Sequence, residues 1–256
     1  MKYRNEQGVD VSGTERTGLA VITGGTAGVG LALARQLAGR GERVVVCGRD
    51  GERLAAADAL PGIEAIRCDL SVESEIVSMT EQLRARGGIR LLVNNAAVQF
   101  GHRTAERHPD GLLRDVDTEI GTNLTGPVKL TALALPLMLP GGLIVNVTSA
   151  LALTPKRAAP LYCATKAALR SYTTALRYQL ADDERGIQVT EAMLPLVDTA
   201  MTAGRGTGKI SPERAAADLL RGLDRNRPVI RVGKARALTV LHRLSPALAA
   251  RLLRDG

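Results

Sequence analysis

A tyrosine and a lysine four residues apart are the side chains of this sequence best suited to acid–base chemistry. Tyr162 and Lys166 lie in the segment YCATK, and a helix there would place both on one face, one turn apart. A free phenol has a pKa of about 10, and a cation held nearby favours its ionised form. The spacing therefore predicts that Lys166 lowers the pKa of Tyr162 and makes the phenol a general acid or base. Because the same spacing occurs by chance on ordinary helices, other motifs must show whether this pair is catalytic.

A serine that could hold a substrate carbonyl lies 13 residues before this tyrosine. Ser149 follows the segment VNVT, which we interpret as a buried strand with the serine at the carboxyl end of a sheet, where α/β folds bind ligands. No histidine lies nearby to complete a Ser–His–Asp nucleophile. The three histidines lack metal-ligand spacing, so we predict no metal site. We interpret them as surface residues, with the first a candidate for the pocket rim: His102, His108 and His242.

The elements that must position these residues alternate between short apolar runs and longer helical patterns. Such alternation is typical of an α/β fold, in which a parallel sheet carries helices on both faces. We predict seven strands, near residues 19–23, 43–47, 65–68, 91–94, 143–148, 188–192 and 229–232. We predict helices near residues 28–39, 51–60, 72–86, 120–139, 161–181 and 212–225.

Other segments do not follow this alternation of strands and helices. Residues 100–116 are polar and predict a loop or an irregular helix. Residues 199–210 contain three glycines and predict a mobile lid. Residues 234–253 are rich in Leu and Ala and predict two short helices that pack on the sheet, close a pocket or contact a second subunit. Residues 1–17 predict a flexible tail, which leaves residues 18–256 as a single domain.

The composition is that of one globular domain, with 45% hydrophobic and 23% charged residues in a chain of 256. The net charge of +8 is spread without a run of five basic residues, which disfavours a nucleic-acid partner. We expect a cytoplasmic protein with no membrane partner, since no signal peptide or long apolar segment is evident. The cysteines have no CxxC spacing and predict reduced, buried thiols: Cys47, Cys68 and Cys163.

A glycine-rich segment follows the first predicted strand and begins a helix. Residues 23–30 read TGGTAGVG. Glycines there allow a tight turn and let a pyrophosphate approach the N–H groups at the helix N-terminus. The segment therefore predicts dinucleotide binding, the alternative being a purely structural turn. The candidate cofactor contacts in it are Gly24, Thr26, Gly28, Val29 and Gly30.

The end of the second predicted strand indicates which dinucleotide binds. Gly48 stands where NAD-binding folds of this type place an acidic residue, and Arg49 follows it. A guanidinium can pair with the 2′-phosphate of NADP in fork geometry. NADP(H) is therefore favoured over NAD(H). The alternative is that Arg49 is a solvated loop residue and Asp50 the functional one, but we interpret Asp50 as a helix cap.

A second glycine-rich segment, residues 203–210, superficially resembles a phosphate-binding P-loop. Ala203 occupies the position of the first glycine, and Ile210 replaces the Ser or Thr that would bind Mg²⁺. We therefore interpret this segment as part of the lid.

Together these motifs resemble the classical short-chain dehydrogenase/reductase (SDR) family over about residues 18–232. The first glycine-rich segment is similar to the family's TGxxxGxG turn, and residues 94–97 to its NNAG motif, with Ala97 in place of glycine. Asn123, in TNLTG, is similar to the family's helix asparagine, and Ser149 and Tyr162 have the family's usual interval. Residues 194–199, which read LPLVDT, resemble the DltE-like branch.

The resemblance implies a Rossmann-type, doubly wound, single-domain fold and hydride transfer between a nicotinamide and a carbonyl or alcohol carbon. Ser149 would bind the substrate oxygen and Tyr162 would transfer the proton. Lys166 would lower the phenol's pKa and hold the nicotinamide ribose, while Asn123 would position a water. The remaining implied cofactor contacts are Asp69, Leu70, Asn95, Ala96, Pro195, Val197 and Thr199, besides Tyr162 and Lys166 themselves.

The substrate is expected to be a small molecule with a largely apolar body. Its candidate contacts are Gln99, Ala150, Leu151, Leu196 and Met201. We expect a homodimer or homotetramer. A rival interpretation is a catalytically silent NADP(H)-binding sensor or scaffold protein, but such a protein would not need the set of Asn, Ser, Tyr and Lys.

Overall fold

A computed structural model of the protein describes residues 18–101 and 109–255. The predicted tail of residues 1–17, together with His102 and His108, lies outside the described residues.

Seven parallel strands form one sheet in the order β3-β2-β1-β4-β5-β6-β7. This order confirms the Rossmann-type fold, and the chain changes direction across the sheet between β1 and β4, where such folds bind ligands. The strands are β1 (Leu19–Thr23), β2 (Arg43–Gly48), β3 (Ile63–Arg67), β4 (Ile89–Asn94), β5 (Met138–Ser149), β6 (Gln188–Leu194) and β7 (Val229–Arg231).

Helices cover both faces of the sheet. They are α1 (Gly28–Ala38), α2 (Gly51–Asp58), α3 (Glu73–Arg86), α4 (Pro109–Ile120), α5 (Gly126–Ala134), α6 (Pro160–Leu180), α7 (Pro212–Leu223), α8 (Ala235–Leu244) and α9 (Pro246–Leu253). Alternate residues of β1 enter two cores. Ala20 and Ile22 pack with α1 and α7, whereas Leu19 and Val21 pack with α3, α5 and α6. The central strands are apolar throughout because both of their faces are covered.

Some predicted boundaries were wrong. The helix predicted for residues 120–139 is divided into a π-helical turn, Gly121–Thr125, and α5. It ends near Pro136, which cannot donate a backbone hydrogen bond, and β5 already begins at Met138. The strand predicted for residues 65–68 is β3, two residues earlier at its start. The polar segment of residues 100–116 contains the beginning of α4.

The C-terminal segment forms the two short helices expected of it. Ser245 separates them, and its Oγ accepts a hydrogen bond from the Leu248 N–H at 3.3 Å. Helix α8 packs on the turn after β5, where His242 Nδ1 lies 3.3 Å from Thr154 Oγ1. His242 is therefore half-buried and not the surface residue that was predicted. In the described part of the chain, no helix combines the length and apolar character needed to cross a membrane.

Candidate active site

The carboxyl ends of the central strands open onto a cleft of about 960 Å³. It extends from the glycine-rich turn to Tyr162 and brings together most of the residues singled out in the sequence. Those lining it are Gly24, Thr26, Gly28, Val29, Gly30, Arg49, Asp69, Leu70, Asn95, Ala96, Gln99, Ser149, Tyr162, Lys166, Pro195, Thr199 and Met201. Five predicted site residues do not line it: Asn123, Ala150, Leu151, Leu196 and Val197.

The glycine-rich turn packs tightly against the helix that it begins and against the end of β4. Gly24 adopts a φ of +63°, and a Cβ on Gly30 would stand only 2.3 Å from the Gly24 carbonyl oxygen. Asn95, at the end of β4, donates from Nδ2 to the Thr23 carbonyl at 2.9 Å and so fixes the turn. No described side chain caps the N-terminus of α1. The uncapped N–H groups at the start of α1 fit a dinucleotide pyrophosphate.

The end of β2 presents two guanidinium groups to the cleft. Arg49 Nη1 lies 3.4 Å from Asp69 Oδ2. Burial alone would raise the pKa of Asp69, but hydrogen bonds from Ser71 and the charge of Arg49 lower it overall. Asp50 accepts from the Arg53 N–H at 3.0 Å, which confirms it as the cap of α2. Arg53 also lines the cleft, and its position one helical turn after Arg49 was the signal that sequence reasoning missed.

Tyr162 and Lys166 lie on one face of α6, as their spacing predicted. Lys166 is buried, its Nζ donates to the Val147 carbonyl at 2.9 Å, and the same atom lies 5.8 Å from the centre of the Tyr162 ring. Burial lowers the pKa of Lys166 to about 8. Burial also raises the pKa of Tyr162 to about 12, against the opposing effect of a hydrogen bond with Ser149. The prediction that Lys166 brings the pKa of this phenol below its usual value was therefore wrong, because the effect of burial is larger than any lowering.

Ser149 is the last residue of β5 and is almost fully buried. Its Oγ accepts a hydrogen bond from the Leu151 N–H at 3.2 Å, and its hydroxyl lies near enough to Tyr162 to lower the pKa of the phenol. The two hydroxyls therefore meet at the same point of the cleft, as their 13-residue interval implied.

Asn123 lies in the π-helical turn between α4 and α5 and is fully buried. Its Oδ1 accepts from the Val98 N–H at 2.8 Å, and its Nδ2 donates to the Val98 carbonyl at 2.8 Å. A longer contact of 3.3 Å joins Nδ2 to Thr165 Oγ1 on α6. The amide thus ties the chain after β4 to α6, behind the wall of the cleft.

The lid, residues 199–210, is anchored at both ends. Val197 pairs with Ile210, and Lys209 Nζ lies 3.2 Å from Asp198 Oδ1. Val197 is buried, and the Leu196 side chain packs against Gly206 of the lid, where a Cβ would stand only 2.6 Å from it. Neither side chain lines the cleft. Ala150 and Leu151 lie in a short turn after Ser149, outside the cleft lining.

Sequence reasoning missed a group of charged residues beside Tyr162. Glu119 of α4 is fully buried, and its carboxylate oxygens form no hydrogen bond of good geometry with a described residue, although the Phe100 N–H is near enough to lower the pKa of the carboxyl. Burial raises its pKa to about 7, while the backbone of Phe100 and the charge of Arg205 oppose this shift. Lys156 and Arg205 complete the group. A glutamate within an amphipathic helix gives no sign in the sequence that it is buried.

Comparison with known proteins agrees with these motifs. A family model described as short chain dehydrogenase matches residues 18–209. An uncharacterized oxidoreductase, DltE, from Bacillus subtilis (strain 168) is 41% identical over 189 residues, covering 71% of this chain and 72% of that protein. Serine 3-dehydrogenase from Agrobacterium fabrum is 32% identical over 215 residues, covering 81% of this chain and 82% of that protein.

A solved structure shares the architecture. A short chain dehydrogenase from Burkholderia cenocepacia J2315 in complex with NADP superposes with a TM-score of 0.81 at 26% identity, covering 94% of this chain and all of that one. The resemblance to the DltE-like branch is confirmed by the Bacillus relative. With the family model spanning residues 18–209 and the sheet order of a doubly wound fold, the chain belongs to the short-chain dehydrogenase family and is an oxidoreductase.

Proposed function

We propose that this protein is an NADP(H)-dependent oxidoreductase acting on a carbonyl or alcohol substrate, with Tyr162 as its general acid and base. One observation carries the proposal: Ser149, Tyr162 and Lys166 converge at one end of a cleft whose other end is the glycine-rich turn. When bound, the nicotinamide supplies or accepts the hydride. The two hydroxyls of Ser149 and Tyr162 then provide the hydrogen bonds for a substrate oxygen.

The pKa values fit Tyr162 as the proton donor when a carbonyl is reduced. A pKa of about 12 means that Tyr162 keeps its proton at neutral pH and has it available to donate. Lys166, with a pKa of about 8, is mostly charged at neutral pH. Its ammonium, 5.8 Å from the ring centre, stabilises the phenolate that proton donation leaves behind.

The preference for NADP(H) rests on Arg49 and Arg53. Both line the cleft beside Gly48, which has no side chain to repel a 2′-phosphate. The ion pair between Arg49 and Asp69 is half-exposed, with 52% of the Arg49 side chain accessible. Because such pairs contribute only about 0–1 kcal/mol, Arg49 can exchange its partner for a phosphate at little cost. The NADP complex of the Burkholderia relative supports the same preference.

The test of this function is the Tyr162→Phe variant. We expect its kcat/KM for NADPH-dependent reduction, across a panel of carbonyl compounds, to fall by about 10²–10⁴-fold. Its NADPH dissociation constant should stay within about threefold, because the phenol is not needed to hold the dinucleotide phosphates. Tyr178→Phe is the matched control, since that tyrosine lies on the same helix and is 71% exposed.

Normal turnover by Tyr162→Phe would contradict the assignment. NADPH binding with no consumption by the wild-type protein across the panel would instead support the rival function, a catalytically silent sensor or scaffold. The set of Asn123, Ser149, Tyr162 and Lys166 argues against that rival, because a sensor has no use for an acid–base group.

We also infer a homodimer or homotetramer. Four large apolar side chains on the C-terminal helices are more than half exposed in the single chain: Val240, Leu244, Leu248 and Leu252. Light scattering coupled to size-exclusion chromatography measures the number of subunits directly, and a monomer at micromolar concentration would contradict the inference. The cytoplasmic location stays a prediction.

A further inference from the structure

We propose that the substrate carries a carboxylate, which Arg205 binds with the help of Lys156 on the lid side of Tyr162. The proposal rests on the function above and narrows its substrate class to oxo acids and the corresponding hydroxy acids. The hydride adds to the carbonyl carbon and the proton from Tyr162 to its oxygen, so the carboxylate is unchanged by the reaction.

Arg205 reaches from the lid towards the chain that follows β4. Its Nη2 lies 3.8 Å from the position that a Cβ on Gly101 would take, and its backbone N–H donates to the Thr202 carbonyl at 3.0 Å. Thr202, which accepts that hydrogen bond, and Phe100, which precedes Gly101, both line the cleft. The guanidinium therefore lies between the lid and the chain that follows β4, next to two cleft-lining residues, although neither Arg205 nor Lys156 is itself part of the cleft lining.

One nitrogen of this guanidinium has no acceptor among the described residues. Arg205 Nη1 is buried, and within residues 18–101 and 109–255 it has no hydrogen-bond partner. Native structures rarely leave a buried charged donor unsatisfied, because desolvation without a compensating acceptor is costly. Carboxylates suit such a site, since their two oxygens match the fork of a guanidinium.

Lys156 adds a second cation close to the first. Its backbone N–H donates to Cys163 Sγ at 3.4 Å, which places it beside the residue that follows Tyr162. Burial lowers the pKa of Lys156, and the charge of Arg205 lowers it further, so the two cations repel each other. Neither belongs to an ion pair among the described residues, although the charge of Arg205 does act on Glu119. An anionic ligand would relieve this repulsion.

Glu119 only partly offsets the charge of the two cations. Its side-chain oxygens form no hydrogen bond to Arg205, although the charge of Arg205 lowers the pKa of Glu119. With a pKa of about 7, it carries only about half a charge at neutral pH. The charge of Asp115 also acts on Glu119, but Asp115 has contacts of its own. The wall that Lys156 and Arg205 form therefore keeps a net positive charge beside the phenol, whose pKa responds to Glu119.

The probes are three oxo acids and their methyl esters: pyruvate, acetoacetate and levulinate. They place the carboxylate at increasing distance from the carbonyl, and esterification removes the charge while keeping the reacting group. Binding is measured by calorimetry on the NADPH-loaded Tyr162→Phe variant, which holds the ligand without turnover. We expect at least one acid to bind about tenfold or more tightly than its ester.

Arg205→Gln should weaken binding of that acid by about tenfold or more and leave the ester within about twofold. Arg205→Lys should recover part of the loss, and Lys156→Gln should weaken acid binding by about threefold. Arg236→Gln, an exposed arginine of α8, is the control and should change neither. In the wild-type background the Arg205→Gln loss should appear in KM and not in kcat, because the carboxylate is bound equally in ground and transition states.

Acids that bind no better than esters, or acid binding that survives Arg205→Gln within twofold, would overturn the proposal. These results are independent of the proposed function. If the wild-type protein reduced only the esters, the oxidoreductase assignment would stand and the proposed carboxylate of the substrate would be refuted. Conversely, Arg205-dependent acid binding with equal turnover by Tyr162→Phe would support the anion site and refute the acid–base role.

Discussion

The ammonium of Lys166 lies 5.8 Å from the centre of the Tyr162 ring and is held there by a 2.9 Å hydrogen bond to the Val147 carbonyl. The backbone of β5 thus fixes the cation, and α6 places the phenol one turn before it. Because burial lowers the pKa of Lys166 to about 8 and raises that of Tyr162 to about 12, the lysine is the member of this pair that changes charge closer to neutral pH.

A pH dependence follows from this pair. Lys166 is charged below its pKa and neutral above it, so its support for the phenolate is lost as pH rises through about 8. We expect kcat/KM for carbonyl reduction to be level below that pH and to fall above it. Steady-state rates between pH 6 and about pH 10, with NADPH saturating, measure the profile.

Lys166→Arg should move the fall to higher pH, because a guanidinium keeps its charge in this range. Lys166→Met should lower the rate by about 10²-fold or more and abolish the fall. An unchanged midpoint in Lys166→Arg would show that another group titrates.

The Arg49–Asp69 pair leads to a prediction about cofactor selectivity. We expect Arg49→Gln to weaken NADPH binding by about tenfold and NADH binding by less than about twofold, because only NADPH offers a phosphate to the guanidinium. Fluorescence titration of both cofactors measures the ratio. Arg84→Gln, which changes an exposed arginine of α3, is the control. If Arg49→Gln left the ratio of the NADPH and NADH dissociation constants unchanged, Arg49 would not be the residue that selects NADPH.

Much of this arrangement could be predicted because its determinants are local. The glycines of the first turn and the apolar run of β1 specify a strand, a turn and a helix within a dozen residues, and the Tyr162–Lys166 spacing needs only a helix. The group of charged residues beside Tyr162 could not be predicted, since its members, Glu119, Lys156 and Arg205, come from three distant segments. The pKa of Tyr162 depends on its burial among other elements, which no spacing encodes.

Asn123 and Asn146 allow a matched test of stability against function. Both are fully buried amides, and Asn146 donates to Thr173 Oγ1 at 2.9 Å and accepts from Asn94 Nδ2 at 2.8 Å. Replacing either with Ala leaves buried partners unsatisfied, so we expect each change to lower the free energy of unfolding by about 1–3 kcal/mol. Urea denaturation measures both losses.

Only Asn123→Ala should also lower kcat/KM, by about tenfold or more, because Asn123 holds Val98 and thereby the chain that carries Gln99 and Phe100 into the cleft. Rates are compared at a temperature where both variants are folded. An equal loss of activity in Asn146→Ala would mean that Asn123 acts through stability alone.

Glu119 gives a prediction about stability and pH. Burial raises its pKa from 4.5 to about 7, so the folded chain keeps a proton that the unfolded chain releases between these values. Stability therefore falls as pH rises through this window, and the penalty is complete above about pH 7. We expect Glu119→Gln to raise the free energy of unfolding by roughly 1–3 kcal/mol at pH 8 and by less than about 0.5 kcal/mol at pH 4.5. Asp117→Asn, at an exposed position of the same helix, should show no such pH dependence, and equal effects of Glu119→Gln at both pH values would contradict the buried, protonated carboxyl.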